Sequence, residues 1–531
     1  MKRISQIKVY LSIILFLGIA LRLYKLGEHS LWADEANFVI FRMIFSPGHL
    51  LESGKFFWEV ICNEGFGMGN YGYQIFSSIW SCLVKSEFML RLPSLIFGSA
   101  AIYFIYKVGK LLFDKKAGLI AAFIIAVCPF HVYYSQEFRM FSLMVLLSLF
   151  SVYFLIRFQQ SGRNSFLWGY VFSNALNFYV HITTALFILA QIVFFLSFQN
   201  KYRGLFRKWV MANLAVLFLI MPAAVYTIIE LMRQGGVETI FSFTITPVYQ
   251  SRHMLLLLPI YTLKNFCVGY TAPALVWAAA LLLFFILFIW SIFNAENKES
   301  LFLCLFCLFI PILVMYAGRK FLYADRYLIP SSAFLYLIVA NGIARLKARY
   351  LLAILMLILV FDALSLSNLY RNCLPCPYEQ RYAVHEKRAC REAVAYIKEH
   401  YQEGDVIFHT DTNITLPFDY YFNYYFKESS DTAVDRKKRG FGLILDFSGR
   451  GKDLAVFNAW SKAGRLLTKI SFPVKGHKRV WLVFSAREFD DALVPGSREN
   501  RILEYISKYY TKKDQKYFKG IILYLFENPS V

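Results

Sequence analysis

The chain has 531 residues, of which 58% are hydrophobic and 18% aromatic, while only 17% are charged. Soluble proteins carry about a quarter charged residues, so the composition excludes an ordinary cytosolic enzyme, a secreted disulfide-rich scaffold and a disordered regulator. The net charge of +22 would suit nucleic acid. However, the basic residues cluster in short segments between apolar runs, which predicts a multi-pass α-helical membrane protein and no nucleic-acid partner.

Apolar runs of membrane-spanning length recur along the first two thirds of the chain. The first run, Val9–Leu21, follows a basic N-terminus and precedes no small-residue cleavage pattern. It therefore predicts an uncleaved first helix with a cytoplasmic N-terminus. Ten further spans, which make eleven transmembrane helices, are predicted at 89–106, 117–130, 140–156, 165–180, 182–198, 209–228, 274–293, 301–317, 326–343 and 350–367.

Basic residues predict how these spans are oriented. They concentrate in alternate loops, which the positive-inside rule assigns to the cytoplasm: 107–116, 157–163, 201–208, 298 and 345–349. The segment Met254–Tyr270 is also apolar, but a full crossing there would invert the later basic loops. We predict that this segment lies in or dips into the interface. We predict an inner-membrane protein. Because the number of spans is odd, its C-terminal region is predicted on the periplasmic or extracellular side.

Two regions are predicted outside the lipid, the first loop and the C-terminal tail. The loop, at 27–87, is part of a membrane domain that comprises residues 1–368. The tail, residues 369–531, is predicted to form a small α/β domain. Its predicted elements are helices at Ala389–His400 and Ser497–Tyr510 and strands at Asp405–His409, Val480–Phe484 and Gly520–Phe526. Cys373 and Cys376 have redox spacing, but they predict a local disulfide, shared or not with Cys390, more readily than catalysis.

The first loop carries adjacent acids in the sequence Leu31-Trp-Ala-Asp-Glu-Ala36. Asp34 and Glu35 follow the outer end of the first helix, beside an aromatic suited to headgroup depth. A carboxylate there can accept a proton from an attacking hydroxyl or amine, or help to hold a divalent metal on a phosphate. The alternative is structural, with Asp34 as the N-cap of an amphipathic helix.

A second polar segment, Pro129–Met140, contains His131, Glu137 and Arg139 at the outer end of the third helix. Such groups are costly at an apolar boundary unless they pair or line a wet cavity. Arg139 can fork onto a phosphate while Glu137 orients it, or the two can form a structural ion pair.

Further polar residues are predicted on the same outer side: Asn177, Tyr179, His181, Arg319, Lys320, Asp325, Arg326 and Tyr327. One cavity could gather them, and a cationic lining would suit an anionic lipid headgroup. For His181, a satisfied interfacial histidine is the competing interpretation. Arg319 and Lys320 can instead extend to lipid headgroups.

Three segments in this order resemble the GT-C superfamily of polyprenyl-phosphate-sugar-dependent glycosyltransferases. They are Leu31–Ala36, Leu90-Arg-Leu-Pro-Ser-Leu-Ile-Phe-Gly98 and Tyr133-Tyr-Ser-Gln-Glu-Phe-Arg-Met140, with Asp325–Pro330 later. The chain is similar to bacterial relatives of protein O-mannosyltransferases and lipid A aminoarabinose transferases over about residues 1–345. One departure is the stretch Gly69–Ile75, where relatives have a Pro-rich segment, which bears on the loop's shape and on acceptor choice.

The resemblance implies an outer cavity in which a lipid-phosphate sugar donor meets a lipid, glycan or protein acceptor. Asp34 matches the catalytic acid, with Glu35 beside it, and Arg139 and Arg326 match positions near the donor phosphate. We expect Asp34 and Arg139 to line one chamber, supported by Glu137, His131, His181 and Tyr327. Direct displacement would invert the anomeric carbon.

Two other classes of protein compete with this hypothesis. A transporter or lipid-linked-sugar flippase would also carry intramembrane charges, but it would be expected to show an inverted repeat, which the sequence lacks. A non-catalytic assembly protein would not need clustered Asp34, Glu137 and Arg139. No Walker motif, zinc-protease motif or dinucleotide turn occurs, so no cofactor is predicted beyond the divalent metal mentioned above.

Overall fold

The computed structural model describes residues 2–40, 69–233, 252–318, 323–374, 386–402, 405–409, 412–422, 444–446, 478–485 and 498–528. The chain folds into two compact units. The membrane unit comprises Met1–Leu26, Lys55–Phe76 and Arg91–His385, and the tail unit comprises Gly27–Gly54, Ser77–Leu90 and Glu386–Val531. Asp34 and Glu35 thus belong to the unit that contains the tail. The boundary predicted at residues 368 and 369 stays a prediction about composition along the sequence.

Helices dominate the chain up to residue 370. They are Lys2–Leu23, Ala33–Ile40, Tyr71–Leu83, Glu87–Leu112, Lys115–Val127, Pro129–Ser135, Phe141–Ser161, Asn164–Val180, Ala185–Ser197, Phe206–Arg233, Arg252–Val268, Ala274–Asn294, Lys298–Ala317, Ile329–Ala344 and Ala348–Tyr370, with 3₁₀ turns at Ile182–Thr184, Arg203–Leu205 and Asp325–Leu328. Their apolar side chains recur all round most of the long helices, which suits burial in lipid and against neighbouring helices.

The predicted multi-pass helical membrane fold is confirmed. Within the described ranges, 8 helices are long and apolar enough to cross a membrane, or up to 9 if the bent pair Lys115–Val127 and Pro129–Ser135 is one span. Each predicted span coincides with a helix, but Asn164–Val180 and Ala185–Ser197 have only 17 and 13 residues. A straight crossing needs about 20, so the predicted count of eleven is not reached. The helix Arg252–Val268 is also short, with 17 residues and Pro259 inside it.

The loops predicted to be cytoplasmic contact one another within the membrane unit. These contacts are Lys116 Nζ to Ala344 O at 2.6 Å, Asn297 Nδ2 to Leu112 O at 3.4 Å, and the ion pairs Lys201–Glu299 and Arg345–Glu296. The helix Phe141–Ser161 has 21 residues and is therefore about 31 Å long. Its end in one of these loops, near Arg157, is thus a membrane thickness away from its start, beside Arg139.

Arg22 stabilises the break in the bent pair. Its guanidinium is fully buried and donates to the carbonyls of Ile125 at 3.0 Å and Ala126 at 2.9 Å and to Ser135 Oγ at 3.1 Å. The carbonyls at a helix end have no partner within the helix, so a single fork-shaped cation satisfies both halves of a 61° bend. The segment that follows the bend leads directly to Arg139.

Gly98, the last residue of the second resemblance segment, allows a close approach at the same place. A Cβ atom at this position would lie 2.1 Å from Ser135 Oγ and 3.3 Å from Arg22 Nε. Both atoms belong to the hydrogen-bonded group at the bend, so glycine is needed here for space between helices.

We predict that Arg22→Leu lowers the unfolding free energy of the detergent-solubilised protein by about 3 kcal/mol or more, because buried carbonyls lose their donor. The measurement is the unfolding temperature by intrinsic fluorescence. Arg349→Leu, which changes an exposed helical arginine, is the matched control and should have little effect. Equal unfolding temperatures for Arg22→Leu and the wild-type protein would contradict this role.

The tail unit contains a mixed sheet, as the predicted α/β domain requires. Its strands are β1 (Val406–His409), β2 (Ile444–Asp446), β3 (Arg479–Ser485), β4 (Thr511–Phe518) and β5 (Ile521–Glu527), in the order β2-β1-β3-β5-β4. Strand β1 is parallel to β2 and β3, whereas β5 is antiparallel to β3 and β4. The helices in the C-terminal part of this unit are Cys390–His400, Thr412–Tyr420 and Arg498–Tyr509.

All five predicted tail elements are present, with bounds shifted by one residue at most ends. The sequence pattern does not predict strand β4. Its sequence, TKKDQKYF, contains three lysines, most of its positions are exposed, and buried and exposed residues do not alternate along it. Lysine-rich strands are typical of sheet edges, where they discourage pairing with other chains. Cys373 and Cys390 form no disulfide with each other, so a bond between these two is not present, while a bond of either residue with Cys376 stays a prediction. Cys376 lies outside the described residues.

A buried polar pair stabilises the centre of this sheet. Asp405 accepts a hydrogen bond from Trp481 Nε1 at 2.8 Å and pairs with Arg479 Nε at 3.4 Å. Both partners are in β3, whose seven residues are all buried. Burying a carboxylate is costly unless it is paired, so this arrangement is a structural element of the tail.

Candidate active site

Asp34 and Glu35 lie in the first turn of the helix Ala33–Ile40 in the tail unit. The carbonyl of Trp32 accepts the Ala36 N–H at 2.9 Å, and Glu35 Oε2 accepts the Trp32 N–H at 3.4 Å. The first bond is the first backbone bond of the helix, and the second is one half of a capping box, in which the side chain of the third helical residue accepts the N–H of the cap. Trp32 is therefore the cap, and the structural alternative that made Asp34 the N-cap is wrong.

The two acids have different environments. Glu35 is fully buried, whereas Asp34 is half-buried. The first turn of a helix favours a negative charge because its N–H groups point outwards. Glu35 thus takes part in the helix start, while Asp34 keeps partial access to solvent. The catalytic roles assigned to both residues stay predictions.

Arg139 lies in the membrane unit, between the bent pair and the helix Phe141–Ser161. Its side chain is 5% exposed, and its guanidinium carbon lies 5.2 Å from the Phe141 ring centre. The Arg139 N–H donates to the Glu137 carbonyl at 2.8 Å, and Ser94 Oγ donates to the Arg139 carbonyl at 3.2 Å. The Glu137 side chain is fully buried. The backbone around Arg139 is therefore held by its neighbours.

His181, Arg326 and Tyr327 lie close together in the membrane unit, as the sequence predicts. The His181 ring stacks on Tyr327 with ring centres 4.5 Å apart, and the Arg326 guanidinium lies 5.4 Å from the same Tyr327 ring. Phe141, the residue under Arg139, lies 6.2 Å from Tyr327. An aromatic group therefore connects the two arginines through stacked and cation–π contacts.

Both arginines are near enough to His181 to affect its charge state. His181 lies between helices, outside the spans. Burial, and then the positive charges of Arg139 and Arg326, lower its pKa from 6.5 to about 3. Its Nδ1 accepts the Thr183 N–H at 3.3 Å, so the neutral ring carries its proton on Nε2. The positive charge of this site comes from the arginines.

Other predicted residues serve the fold. His131 Nε2 is 2.7 Å from Ser332 Oγ, and its ring lies 5.6 Å from that of Tyr336. Asn177 Nδ2 donates to Ser148 Oγ at 2.9 Å, and Tyr179 OH donates to the Leu219 carbonyl at 3.0 Å. These contacts pack helices together. Arg319 and Lys320 lie outside the described residues.

The sequence interpretation missed a buried network beside Arg326. Asp325 accepts hydrogen bonds from Asn265 Nδ2 at 2.5 Å, from Tyr270 OH at 3.1 Å and from the Arg326 N–H at 2.7 Å. Tyr270 OH is 2.7 Å from Tyr134 OH. The polar pair Lys264-Asn265 inside an otherwise apolar segment was the available signal, since buried polar residues in such segments need partners.

No group of three or more metal-ligating side chains occurs in the part of the chain that the structure describes. The described contacts of this site join two cationic side chains, a neutral imidazole and an aromatic ring. In an apolar surrounding, such an arrangement is suited to an anion.

A comparison with protein families matches residues 68–227 to the dolichyl-phosphate-mannose-protein mannosyltransferase family. This segment contains Arg139 and His181. The sequence matches no curated protein.

Solved structures extend the likeness to the whole length. ArnT from Cupriavidus metallidurans in the apo state has a TM-score of 0.59 at 11% identity, and the match covers 99% of this chain and 98% of ArnT. The chain has the GT-C glycosyltransferase fold. The same ArnT bound to undecaprenyl phosphate gives a TM-score of 0.54 at 11% identity, covering 98% of both chains. AglB from Archaeoglobus fulgidus, an oligosaccharyltransferase in complex with an inhibitory peptide and a dolichol-phosphate, gives 0.51 at 12% identity, covering 98% of this chain and 74% of AglB. The predicted fold class, a multi-pass helical membrane protein of the GT-C type, is confirmed.

We predict that acid destabilises the folded protein through His181. Its pKa is lowered on folding, so stability is full above pH 6.5 and decreases as pH falls from 6.5 towards 3, when only the unfolded chain takes up the proton. At pH 5, protonation of His181 in the unfolded chain lowers the free energy of unfolding by about 2 kcal/mol relative to its value above pH 6.5. Unfolding temperatures at pH 7.5 and 5 should therefore differ less in His181→Asn than in the wild-type protein. Tyr327→Phe keeps the stacked ring and should behave as wild type; the same acid sensitivity in His181→Asn would contradict the prediction.

Proposed function

We propose that this chain transfers a sugar from a polyprenyl-phosphate donor to an acceptor on the extracytoplasmic face of the inner membrane. The family match over 68–227 and the GT-C fold support this class of donor. ArnT, with the same fold, binds undecaprenyl phosphate, and AglB binds a dolichol-phosphate. The sequence offers no nucleotide-binding motif as a competing source of an activated sugar.

The observation that carries the proposal is the pair of arginines near neutral His181. Two guanidinium groups that converge at an apolar boundary attract an anion strongly, because a guanidinium bond to a phosphate oxygen is charge-assisted and gains in strength where water is scarce. A lipid phosphate brings that anion together with a chain that stays in the bilayer. We assign Arg139 and Arg326 to the donor phosphate, where a planar fork can bind two oxygens at once.

Asp34 is assigned the role of general base. It removes the proton from the acceptor hydroxyl or amine as the acceptor atom attacks the anomeric carbon. The bond between that carbon and the phosphate oxygen breaks, and polyprenyl phosphate leaves with the electron pair, stabilised by Arg139 and Arg326. A single displacement of this kind inverts the anomeric configuration. Glu35 supports the reaction by holding the helix start through Trp32.

We also propose the orientation in the membrane that the basic loops predict. The N-terminus and the mutually contacting basic loops would be cytoplasmic. Arg139, at the other end of the helix Phe141–Ser161, would then be on the extracytoplasmic side. A lipid-linked donor approaches that side within the outer leaflet.

Replacing Asp34 with Asn should reduce transfer by about 10²–10⁴-fold, because the base is removed. The measurement uses a panel of undecaprenyl-phosphate sugars (mannose, glucose and aminoarabinose) and detects release of undecaprenyl phosphate by the purified protein. Glu28→Gln removes an exposed carboxylate of the same segment and should keep the wild-type rate. A fully active Asp34→Asn variant would exclude Asp34 as the base, and a wild-type protein inactive on the whole panel would contradict the proposed donor class.

Replacing Arg139 or Arg326 with Ala should raise the donor KM about 10-fold or more, since a charge-assisted hydrogen bond to phosphate is worth about 1.5–3 kcal/mol. The KM for the active donor of the panel is measured at saturating acceptor. Arg349→Ala serves as the control, because Arg349 is exposed and lies in the first turn of the helix Ala348–Tyr370, next to a basic loop at the other end of the unit. Unchanged donor kinetics in both alanine variants would remove the arginines from the phosphate site.

A further inference from the structure

The backbone just before Asp34 is fastened by side chains from the end of the chain. All of these groups belong to the tail unit. Arg391, at the start of the helix Cys390–His400, donates from Nη2 to the Glu28 carbonyl at 3.0 Å and from Nη1 to Glu87 Oε1 at 2.8 Å. The Arg391 N–H also donates to Ser30 Oγ at 3.1 Å. One residue of the tail thus reaches two residues of the segment that leads into the helix Ala33–Ile40.

Tyr421 makes the second attachment. Its fully buried hydroxyl accepts the Leu31 N–H at 2.7 Å and donates to Glu87 Oε1 at 2.9 Å. Glu87 Oε1 therefore receives a hydrogen bond from Arg391 and another from Tyr421. This carboxylate is 3% exposed, so its contacts are in a region of low dielectric, where such bonds are strong.

These contacts end three residues before Asp34. Leu31 is fully buried, the helix Ala33–Ile40 packs against the tail helix Thr412–Tyr420, and its apolar residues Ala36 and Phe38 are buried. The position of the Asp34 carboxylate is therefore set by the tail, through a hydrogen-bonded backbone on one side and apolar packing on the other. Errors of about 1 Å in placing a catalytic group can cost about 10²-fold in rate.

We propose that Arg391 and Tyr421 are positioning residues for Asp34, so that the tail has a direct part in catalysis. This inference rests on the proposed function of Asp34 as the base. Arg391 acts through its fork, because it must contact a carbonyl and a carboxylate together. A lysine at this position keeps the charge but cannot make both contacts.

The chain offers matched controls within the same unit. Arg479 pairs with buried Asp405 in the central sheet, and Tyr396 OH donates to Asp514 Oδ2 at 2.5 Å. Among the residues that the structure describes, no hydrogen bond or ion pair joins either control residue to residues 27–35. Arg479→Lys and Tyr396→Phe therefore perturb the tail by the same chemistry as Arg391→Lys and Tyr421→Phe, without altering the attachments before Asp34.

The first measurement needs no ligand. Amide hydrogen exchange followed by mass spectrometry on the full-length protein reports the protection of residues 28–36. Arg391→Lys and Tyr421→Phe should raise exchange in this peptide about 10-fold or more and leave β3 and β5 protected. The two controls should leave residues 28–36 as protected as in the wild-type protein. Unchanged exchange in Arg391→Lys and Tyr421→Phe would overturn the proposal.

The second measurement separates kcat from KM with the undecaprenyl-phosphate sugar that the wild-type protein uses. Arg391→Lys and Tyr421→Phe should lower kcat about 10- to 100-fold while the donor KM changes less than about 2-fold. In the Asp34→Asn background, Arg391→Lys should have no additional effect on the residual rate, because both changes act on one group.

The outcomes distinguish the two proposals. If Asp34→Asn is inactive but Arg391→Lys keeps the wild-type kcat, the positioning role is overturned and the base is retained. Equal losses of kcat in Arg391→Lys and Arg479→Lys would also overturn it, since a general loss of tail stability would explain both. A fully active Asp34→Asn variant removes the base itself, and the positioning role with it.

Discussion

A guanidinium group buried in a membrane protein must be surrounded by acceptors, and this constraint shapes the membrane unit. Arg22 meets it with helix-end carbonyls and Ser135, and in doing so stabilises a sharp bend between two helices. The bend brings the following segment, with Glu137 and Arg139, to the end of the bundle opposite the basic loops. Without this donor, the carbonyls of Ile125 and Ala126 at the end of the first helix half would lose their hydrogen bonds in an apolar surrounding.

Arg139 and Arg326 also carry guanidinium groups, but their surroundings differ from those of Arg22. Each guanidinium group lies beside an aromatic ring, Phe141 for Arg139 and Tyr327 for Arg326, and Asp325 next to Arg326 accepts hydrogen bonds from Asn265 and Tyr270. His181 stays neutral because it is buried near these two cations. A fixed positive charge that does not depend on pH in the physiological range is suited to a phosphate whose own charge is nearly constant.

The fold was largely predictable because the membrane imposes long apolar helices and alternating basic loops, which are visible in sequence. The count of spans was less predictable, since the short helix Ala185–Ser197 has the composition of a span without its length. Tertiary roles were harder to predict. Arg22 looks like a flank of the first helix, and only the structure shows it capping residues more than a hundred positions away.

Some residues of the candidate site were likewise predictable from the sequence, and others were not. His181, Arg326 and Tyr327 were predicted together, because each lies at the outer end of a predicted helix, and helix ends on one side of a bundle converge. Asn265 was missed, because its segment reads as an apolar surface helix. The separate roles of Asp34 and Glu35 required the helix start at Ala33, since a shift of one residue exchanges the cap and the first turn.

The most direct test is an experimental structure of the full chain with bound undecaprenyl phosphate in a lipid nanodisc. The account predicts a phosphate with oxygens about 2.7–2.9 Å from guanidinium nitrogens of both Arg139 and Arg326, the distance of charge-assisted hydrogen bonds. A phosphate bound elsewhere, with these two side chains engaged only by protein groups, would contradict it.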